Sequence, residues 1–274
     1  MVTQEQRRRQ LAREKFLRQQ QRRTSARRKA RTRNAAIASV LGVILIGSVA
    51  LYTTGVVLDD GDSKTNANAE VTPSASPSSK APDPCDKPAE GKVKTQTWKK
   101  EPAMTIDKSA KYTMKLATTC GDIDIALKTS AAPHTVNSFN FLAGKGFFDH
   151  TPCHRLTTNG IYVLQCGDPT GQGNGGPGYN IPDENLKDKS LKENMYPAGT
   201  VAMANTGQPD SGGSQFFLVY QNSPLPPSYT PFGTISDEGM TVLKKIAAAG
   251  ESTGAGDGAP NATVVIDKAT VTKS

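Results

Sequence analysis

Residues 35–57 form an uncharged, predominantly apolar run, and this run limits what the whole chain can fold into. An α-helix rises about 1.5 Å per residue, so roughly 20 residues cross the ~30 Å hydrocarbon core of a bilayer. The run has 23 residues. A buried core helix is the alternative, but a basic block precedes the run, and Asp59, Asp60 and Asp62 follow it. The sequence therefore predicts a single transmembrane helix at 35–57.

The net positive charge of the chain comes entirely from its first residues. The formal net charge is +8, yet residues 1–33 carry 13 Lys and Arg against 2 Asp and Glu, which leaves 20 basic and 23 acidic residues elsewhere. Because Lys and Arg stay on the cytoplasmic side, residues 1–34 are predicted to be a cytoplasmic tail, and the chain after the helix to be extracytoplasmic. Anionic lipid headgroups suit this tail as partners. Nucleic acid is not expected, because Phe16 alone offers no stacking pattern.

The apolar run is followed by a polar linker and then by a domain. Residues 58–93 are rich in Asp, Ser, Pro, Ala and Lys, a composition that buries too little apolar surface to order itself, which predicts a disordered tether. A folded domain is predicted at 94–274. Cleavage after Ala50 is the alternative to an anchor, because Ser48-Val49-Ala50 is a small-x-small site. The long basic segment and the long apolar run favour an uncleaved anchor in the cell membrane.

The predicted domain has the residue alternation of an antiparallel β-protein. Residues 112–118 and 121–127 alternate polar and apolar residues around Cys120-Gly121, which predicts two strands joined by a tight turn. Helices are predicted at 132–145 and at 236–248, the second with Ser236 as its N-cap. Further strands are predicted at 152–157, 161–167, 200–204 and 214–220, with a strand pair over 263–272. Many short strands with two helices predict a mainly β fold, a closed antiparallel barrel.

Residues that usually carry nucleophilic or metal chemistry form no recognisable pattern. The histidines and cysteines lack metal-ligand spacing, and no Ser or Cys stands in a nucleophile signature, so neither a metal nor another cofactor is expected. The glycine-rich segment 171–179 lacks the Lys-Ser/Thr ending of a phosphate loop and is interpreted as a long turn with positive φ. His154 is interpreted as a structural histidine rather than a base.

Four short motifs follow one another in the predicted domain. They are CHR (153–155), QCGD (165–168), MAN (203–205) and GSQFF (213–217), and PFG (231–233) comes after them. Together they resemble the cyclophilin-type peptidyl-prolyl isomerases over roughly residues 105–272. The resemblance implies a closed eight-stranded antiparallel β-barrel capped by two α-helices. Preceded by the transmembrane helix, the chain would be a bacterial membrane-anchored form of that family.

The resemblance also implies the residues of the site. Arg155 is expected to be the catalytic arginine, with Gln165 as its catalytic neighbour. The expected substrate-binding residues are Tyr162, Val163, Ala204, Asn205, Gln215, Phe217, Leu225 and Tyr229. The alternative for Arg155 is a plain ion pair with a surface carboxylate, which contributes roughly 0–1 kcal/mol.

The implied activity is the isomerisation of X-Pro bonds in extracytoplasmic proteins, which would assist their folding. Proline-containing polypeptides are the expected substrates. A catalytically weak proline-binding or chaperone module at the cell envelope is the alternative. Disulfides are compatible with an extracytoplasmic domain, but the pairing of the four cysteines stays open. A direct Cys153–Cys166 bridge would need a β-bulge, because strict alternation puts Cys153 on the face of Arg155 and Cys166 on the face opposite Gln165.

Overall fold

The computed structural model describes residues 82–274. Over that range the chain forms twelve strands and two helices: β1 Tyr112–Thr118, β2 Gly121–Leu127, α1 Pro133–Gly144, β3 Thr151–Pro152, β4 Arg155–Thr157, β5 Val163–Cys166, β6 Met195–Tyr196, β7 Thr200–Met203, β8 Phe216–Val219, β9 Ser223–Pro224, β10 Pro231–Ile235, α2 Asp237–Ala248, β11 Asp257–Gly258 and β12 Val265–Lys273. The predicted tail, the predicted span at 35–57 and the first part of the predicted tether lie outside the described residues. Neither α1 nor α2, the helices of the described range, has the length and apolarity to cross a membrane.

Ten of these strands form one curled antiparallel sheet, in the order β11-β4-β5-β8-β7-β10-β2-β1-β12-β3, and β6 pairs with β9 apart from it. The edge strands β3 and β11 do not pair with each other, so the prediction of a closed eight-stranded barrel is wrong. Between β3 and β4, the Cys153 N–H donates to the Val264 carbonyl at 2.9 Å and the His154 N–H donates to the Gln165 carbonyl at 3.1 Å. The chain therefore passes from its pairing with β12 to its pairing with β5 at these two residues.

The first hairpin confirms the prediction from alternation, with β1 and β2 at the expected bounds. Met114, Leu116, Ile123 and Ile125 point into the core and are fully buried. The prediction of a strand pair over 263–272 is wrong. That segment is the single strand β12, which pairs with β1 along its length. It contains no Gly or Pro that would turn the chain back.

A side chain accepts hydrogen bonds from N–H groups at the N-terminus of each helix. Ser236 caps α2, as predicted, and accepts a hydrogen bond from the Gly239 N–H at 3.0 Å. The start of α1 is held from a distance, because the Glu184 carboxylate accepts from the N–H groups of His134 (3.0 Å) and Thr135 (2.9 Å). A carboxylate at a helix N-terminus is also favoured by the helix dipole.

An aromatic cluster fills the core between α1 and the sheet. The ring of Phe139 lies 5.2 Å from Phe148, 5.5 Å from Phe216 and 4.6 Å from Phe232. Phe216 is fully buried in this core, whereas the next residue of β8, Phe217, belongs to a separate apolar cluster. Successive strand residues face opposite sides of a sheet, so β8 connects the core to the face that carries the site.

The described chain before residue 94 is attached to the domain. A disulfide joins Cys85 to Cys120, and the Asp86 N–H donates to the Thr119 carbonyl at 2.8 Å. The Ala89 N–H donates to Oδ1 of Asp267 at 3.0 Å. The expectation of a disordered tether therefore concerns only the residues before this attachment.

The second disulfide joins Cys153 to Cys166 beside β4 and β5. Cys153 lies outside β4, in the two-residue break after β3, so strand alternation does not fix its direction. The bridge therefore forms where the regular strand is interrupted, between β3 and β4. Replacing both cysteines by Ala is expected to lower the free energy of unfolding by about 3 kcal/mol, because the cross-link restricts the unfolded chain. Urea unfolding of residues 82–274 measures this difference; an unchanged midpoint would contradict it.

Candidate active site

Three neighbouring strands place one residue each on the same face of the sheet. Arg155 of β4 is directly opposite Gln165 of β5, and Gln165 is directly opposite Phe217 of β8. Residues directly opposite each other in antiparallel strands share a face, and their side chains lie within contact distance. Arg155 and Phe217, which are 62 positions apart along the chain, therefore lie in one row on either side of Gln165.

A chain of hydrogen bonds orders the polar part of this row. Nη1 of Arg155 donates to Oε1 of Gln165 at 3.2 Å, and Nε2 of Gln165 donates to Oε1 of Gln215 at 2.9 Å. Nε2 of Gln215 donates in turn to the Gly175 carbonyl at 3.0 Å. Each amide is therefore oriented by the next group, and Gln165 presents its acceptor to the guanidinium.

Arg155 is also paired with Asp257. Nε donates to Oδ1 at 2.7 Å and Nη2 to Oδ2 at 2.8 Å, with the Arg155 side chain 38% exposed and that of Asp257 55% exposed. Hydrogen bonding to Arg155 lowers the pKa of Asp257, and hydrogen bonding to Asp257 raises the pKa of Arg155, so both groups are charged at neutral pH. Every other arginine of the chain lies at or before residue 33.

Beside Arg155 the face opens into a cavity of about 200 Å³. Eight of the ten residues expected at the site line it: Arg155, Val163, Gln165, Ala204, Asn205, Phe217, Leu225 and Tyr229. Gln215 adjoins it through its hydrogen bond to Gln165. The guanidinium and the Gln165 amide line it together with apolar side chains, among them Val163, Phe217 and Leu225.

Tyr162 does not line this cavity. Its ring packs edge-to-face on Tyr220, with 5.9 Å between centroids, and Ile161 and Val163 on either side of it line the cavity instead. Alternation along the strand explains the difference, because residues 161, 163 and 165 share one face and 162 has the other. Ile161 is therefore a lining residue that the motif comparison missed.

Tyr196 supports the cavity from behind and was also missed. Its hydroxyl donates to the Tyr229 carbonyl at 2.7 Å and accepts from the Tyr229 N–H at 3.1 Å. Its ring lies 6.2 Å from Phe217, and burial raises its pKa to about 12. On the neighbouring loop, Nδ2 of Asn205 donates to the Ser228 carbonyl at 2.7 Å. The cavity walls are thus held by hydrogen bonds as well as by packing.

Comparison with known proteins agrees with this geometry. The sequence profile of the family described as "Cyclophilin type peptidyl-prolyl cis-trans isomerase/CLD" matches residues 113–271. The chain belongs to this family.

Individual relatives carry the same description. The chain is 45% identical over 208 residues to a "Probable peptidyl-prolyl cis-trans isomerase B" of Mycobacterium leprae, covering 73% of this chain and 65% of the relative. A protein of the same name from Mycobacterium tuberculosis is 44% identical, with 62% of its length covered. The chain thus spans less than two thirds of either mycobacterial relative. A crystal structure of a cyclophilin-type isomerase from Cryptosporidium parvum matches with a TM-score of 0.50 and 26% identity, covering 60% of this chain and 99% of that one.

A second cavity of about 460 Å³ adjoins the first in this cyclophilin domain, between the glycine-rich loop and Gln165, Gln215 and Asn205. The prediction of positive φ in the loop is confirmed at Gly171, Gly173 and Gly178. The fully buried Asp168 carboxylate holds the loop and accepts from the N–H groups of Thr170 (2.7 Å), Gln172 (3.2 Å) and Asn174 (2.9 Å).

Asp168 should make the stability of the domain depend on pH. Burial by itself would raise the pKa of this carboxyl, but the hydrogen bonds donated by Thr170, Gly175 and Gly173 lower it below 3.8. Its contribution is therefore complete above the unfolded-state pKa and is lost as the pH falls through the folded-state pKa. Asp168→Asn should lower the free energy of unfolding by about 2–3 kcal/mol at neutral pH. The gap between variant and parent should close as the pH falls through the lowered folded-state pKa of Asp168. Urea unfolding across this pH range measures the gap; a gap independent of pH would contradict the assignment.

The side chain of His154 makes no hydrogen bond to the residues of the candidate active site. Neither of its ring nitrogens has a hydrogen-bond partner within the described range, and burial lowers its pKa. The ring lies beside the glycine-rich loop, where a Cβ at Gly173 would approach Nε2 to 3.5 Å. The interpretation as a structural rather than a basic residue agrees with this position, although its polar atoms are not satisfied.

Proposed function

We propose that this chain accelerates cis-trans rotation about X-Pro bonds in polypeptides, with Arg155 and Gln165 as its catalytic pair. The observation that carries the proposal is the placement of one ordered guanidinium beside a cavity of about 200 Å³ that Val163, Phe217 and Leu225 help to line. Nη1 of Arg155 lies 3.2 Å from Oε1 of Gln165, and Phe217 lines the same cavity. Family membership supports the same reaction.

The chemistry needs no nucleophile or metal. Rotation about a peptide bond faces a barrier of about 18–20 kcal/mol, because the nitrogen lone pair is delocalised into the carbonyl. In the twisted state the lone pair returns to the nitrogen, which then accepts a hydrogen bond. A cationic donor held in a partly dry cleft stabilises that state more than it stabilises the planar amide. Arg155 supplies this donor.

The remaining residues hold the two sides of the rotating bond. Phe217, Val163, Leu225 and Tyr229 enclose the proline ring, while Ala204, Asn205 and Gln215 hold the peptide backbone. The side-chain amide of Asn205 is engaged with the Ser228 carbonyl, so Asn205 contributes to the peptide through its backbone. With the ring fixed, rotation is confined to the carbonyl that precedes proline.

A protease-coupled assay on a peptide with one X-Pro bond tests this activity. The protease cleaves only the trans form, so the slow phase reports isomerisation, which takes tens to hundreds of seconds at 25 °C without catalysis. The full chain should shorten this phase in proportion to its concentration. A slow phase that does not change with protein concentration would overturn the proposal.

One observation favours the second candidate, a weakly catalytic proline-binding module. The Arg155 charge is already paired with the Asp257 carboxylate through two hydrogen bonds, which reduces the field that it offers to a substrate nitrogen. Such a module would bind X-Pro peptides in the cavity and accelerate their rotation only slightly.

We further propose that the domain is extracytoplasmic and tethered to the cell membrane by residues 35–57, with the basic tail on the cytoplasmic side. The proposal rests on the length of the apolar run and the charge on either side of it. The pairing of all four cysteines in two disulfides supports an oxidising compartment.

Protease added to intact spheroplasts should digest the domain and spare the tail. Protection of the domain, or release of a soluble product beginning after Ala50, would overturn the proposal.

A further inference from the structure

We propose that Asp257 is a positioning residue for Arg155: it holds the guanidinium so that the Nη1 edge, together with Gln165, faces the proline cavity. This inference rests on the proposed catalytic role of Arg155. It assigns to the carboxylate a part in the reaction that is independent of its contribution to stability.

The N–H donors of the Arg155 guanidinium are shared between two partners, Asp257 and Gln165. Asp257 takes Nε at 2.7 Å and Nη2 at 2.8 Å in a paired, bidentate contact, and Gln165 takes Nη1 at 3.2 Å. Arginine has five N–H donors in a planar fork, so two N–H groups remain for a substrate. Because the fork is held at both ends, its plane cannot turn about the side-chain axis.

A dedicated edge strand brings Asp257 to this position. In β11, Asp257 pairs with Thr157 and Gly258 pairs with Leu156, directly beside Arg155 on β4. The Thr158 N–H also donates to the Gly256 carbonyl at 2.9 Å. The carboxylate therefore has a fixed backbone beneath it and does not reach Arg155 from a free loop.

The loop that leads into β11 is built around a second carboxylate. The nearly buried Glu251 accepts from the N–H groups of Thr253 (2.6 Å) and Gly256 (2.9 Å). Gly256 has a φ of +91°, and a Cβ at Gly258 would clash with the Glu251 carboxylate. The turn thus requires glycine at these places and delivers the intervening Asp257 in one orientation.

Because the Arg155–Asp257 ion pair is partly exposed, its effect on the reaction rate can be distinguished from its effect on the stability of the fold. The Asp257 side chain is 55% exposed, and ion pairs between exposed groups contribute little to folding. An ordered donor, in contrast, affects the rate, because a catalytic group that is displaced by about 1 Å loses about 10²-fold in rate. Loss of Asp257 should therefore reduce turnover while leaving the folded state almost unchanged.

The test compares Asp257→Ala with a matched control, Asp122→Ala, in the full chain. Asp122 is 54% exposed and pairs with Lys115 on the first hairpin, away from the cavity. Asp257→Ala should lower kcat about tenfold, with KM changed less than about twofold, because the ring pocket stays intact. Asp257→Glu should recover part of the lost rate, and Asp122→Ala should match the parent. A kcat for Asp257→Ala equal to or above that of the parent would overturn the proposal and show that Asp257 only weakens the Arg155 charge.

Two further measurements distinguish positioning from a structural role. In an Arg155→Ala background, Asp257→Ala should cause no additional loss of rate, because the group that it positions is gone. An equal loss in both backgrounds would mean that Asp257 acts through the fold, and would overturn the proposal.

The second measurement does not depend on activity. The Nε–H signal of Arg155 in a ¹H–¹⁵N spectrum, identified by its absence in Arg155→Ala, should be sharp in the parent and broadened by exchange in Asp257→Ala. An unchanged signal would overturn the positioning proposal. Failure of the proposed function has a different signature, namely a parent chain whose rate equals that of Arg155→Ala while the Nε–H signal still depends on Asp257.

Discussion

Replacing Arg155 by Ala is expected to lower kcat/KM for an X-Pro peptide by about 10²–10³-fold, the usual cost of removing one preorganised donor to a developing charge. Arg155 is the only arginine among residues 82–274, the part of the chain that the structure describes, so no other arginine of that part can take its place. The ring pocket around Phe217 remains, and peptide affinity should change far less than the rate. The coupled assay gives the rate, and a titration with a proline peptide gives the affinity.

The control for this variant is Lys115→Ala, which also removes a half-exposed cation from an ion pair, with Asp122 at 2.6 Å. It should keep full activity. Circular dichroism should show both variants folded, since an exposed ion pair contributes roughly 0–1 kcal/mol. A folded Arg155→Ala protein with near-parental activity would leave Arg155 as a surface partner of Asp257. The proline-binding module would then be the better account of the domain.

Replacing Phe217 by Ala is expected to weaken binding and stability together. The side chain is 5% exposed, and its ring lies edge-to-face on Tyr229 with 5.5 Å between centroids. Truncating a buried Phe to Ala costs about 3–5 kcal/mol, because apolar contact is lost and a cavity remains. The same truncation opens the wall that encloses the proline ring, so KM should rise strongly. Urea unfolding and initial rates over a range of peptide concentrations measure the two effects.

The neighbouring residue provides a matched control. Phe216 is fully buried on the opposite face of β8, in the core cluster. Phe216→Leu and Phe217→Leu should destabilise the domain to a similar extent, but only Phe217→Leu should raise KM. Equal KM values for these two variants would show that Phe217 is a packing residue without a part in substrate binding.

Local sequence signals predicted the elements of this fold better than its closure. Alternation gave β1 and β2 at their observed bounds, and Ser236 gave the start of α2, because both signals act within a few residues. Whether a barrel closes depends on the pairing of β3 with β11, strands that are distant in sequence and two residues long. Local periodicity carries no information on such a pairing.

The sequence predicted those site residues that belong to a family motif and also share one face of the sheet. It did not predict residues that only the fold brings to the site. Arg155, Gln165 and Phe217 were found by motif, and the register of β4, β5 and β8 brings them together. Alternate residues of a strand face the same side, so Ile161 and Val163 could have been predicted to share the face of Gln165. The same alternation places Tyr162 on the opposite face. Asp257 gave no comparable signal. It lies 102 residues after Arg155, in a glycine-rich turn whose partner only the fold supplies.

The central claim is that this domain accelerates rotation about X-Pro bonds and does not merely bind them. Two-dimensional exchange NMR on a peptide with one X-Pro bond tests this directly, because cis and trans forms give separate signals that exchange too slowly to connect without a catalyst. A catalytic amount of the full chain should produce exchange cross-peaks between the two forms. The cross-peaks should disappear when Arg155→Ala replaces the parent. Shifted or broadened peptide signals without exchange cross-peaks in the presence of the parent chain would show binding without catalysis and would contradict the account.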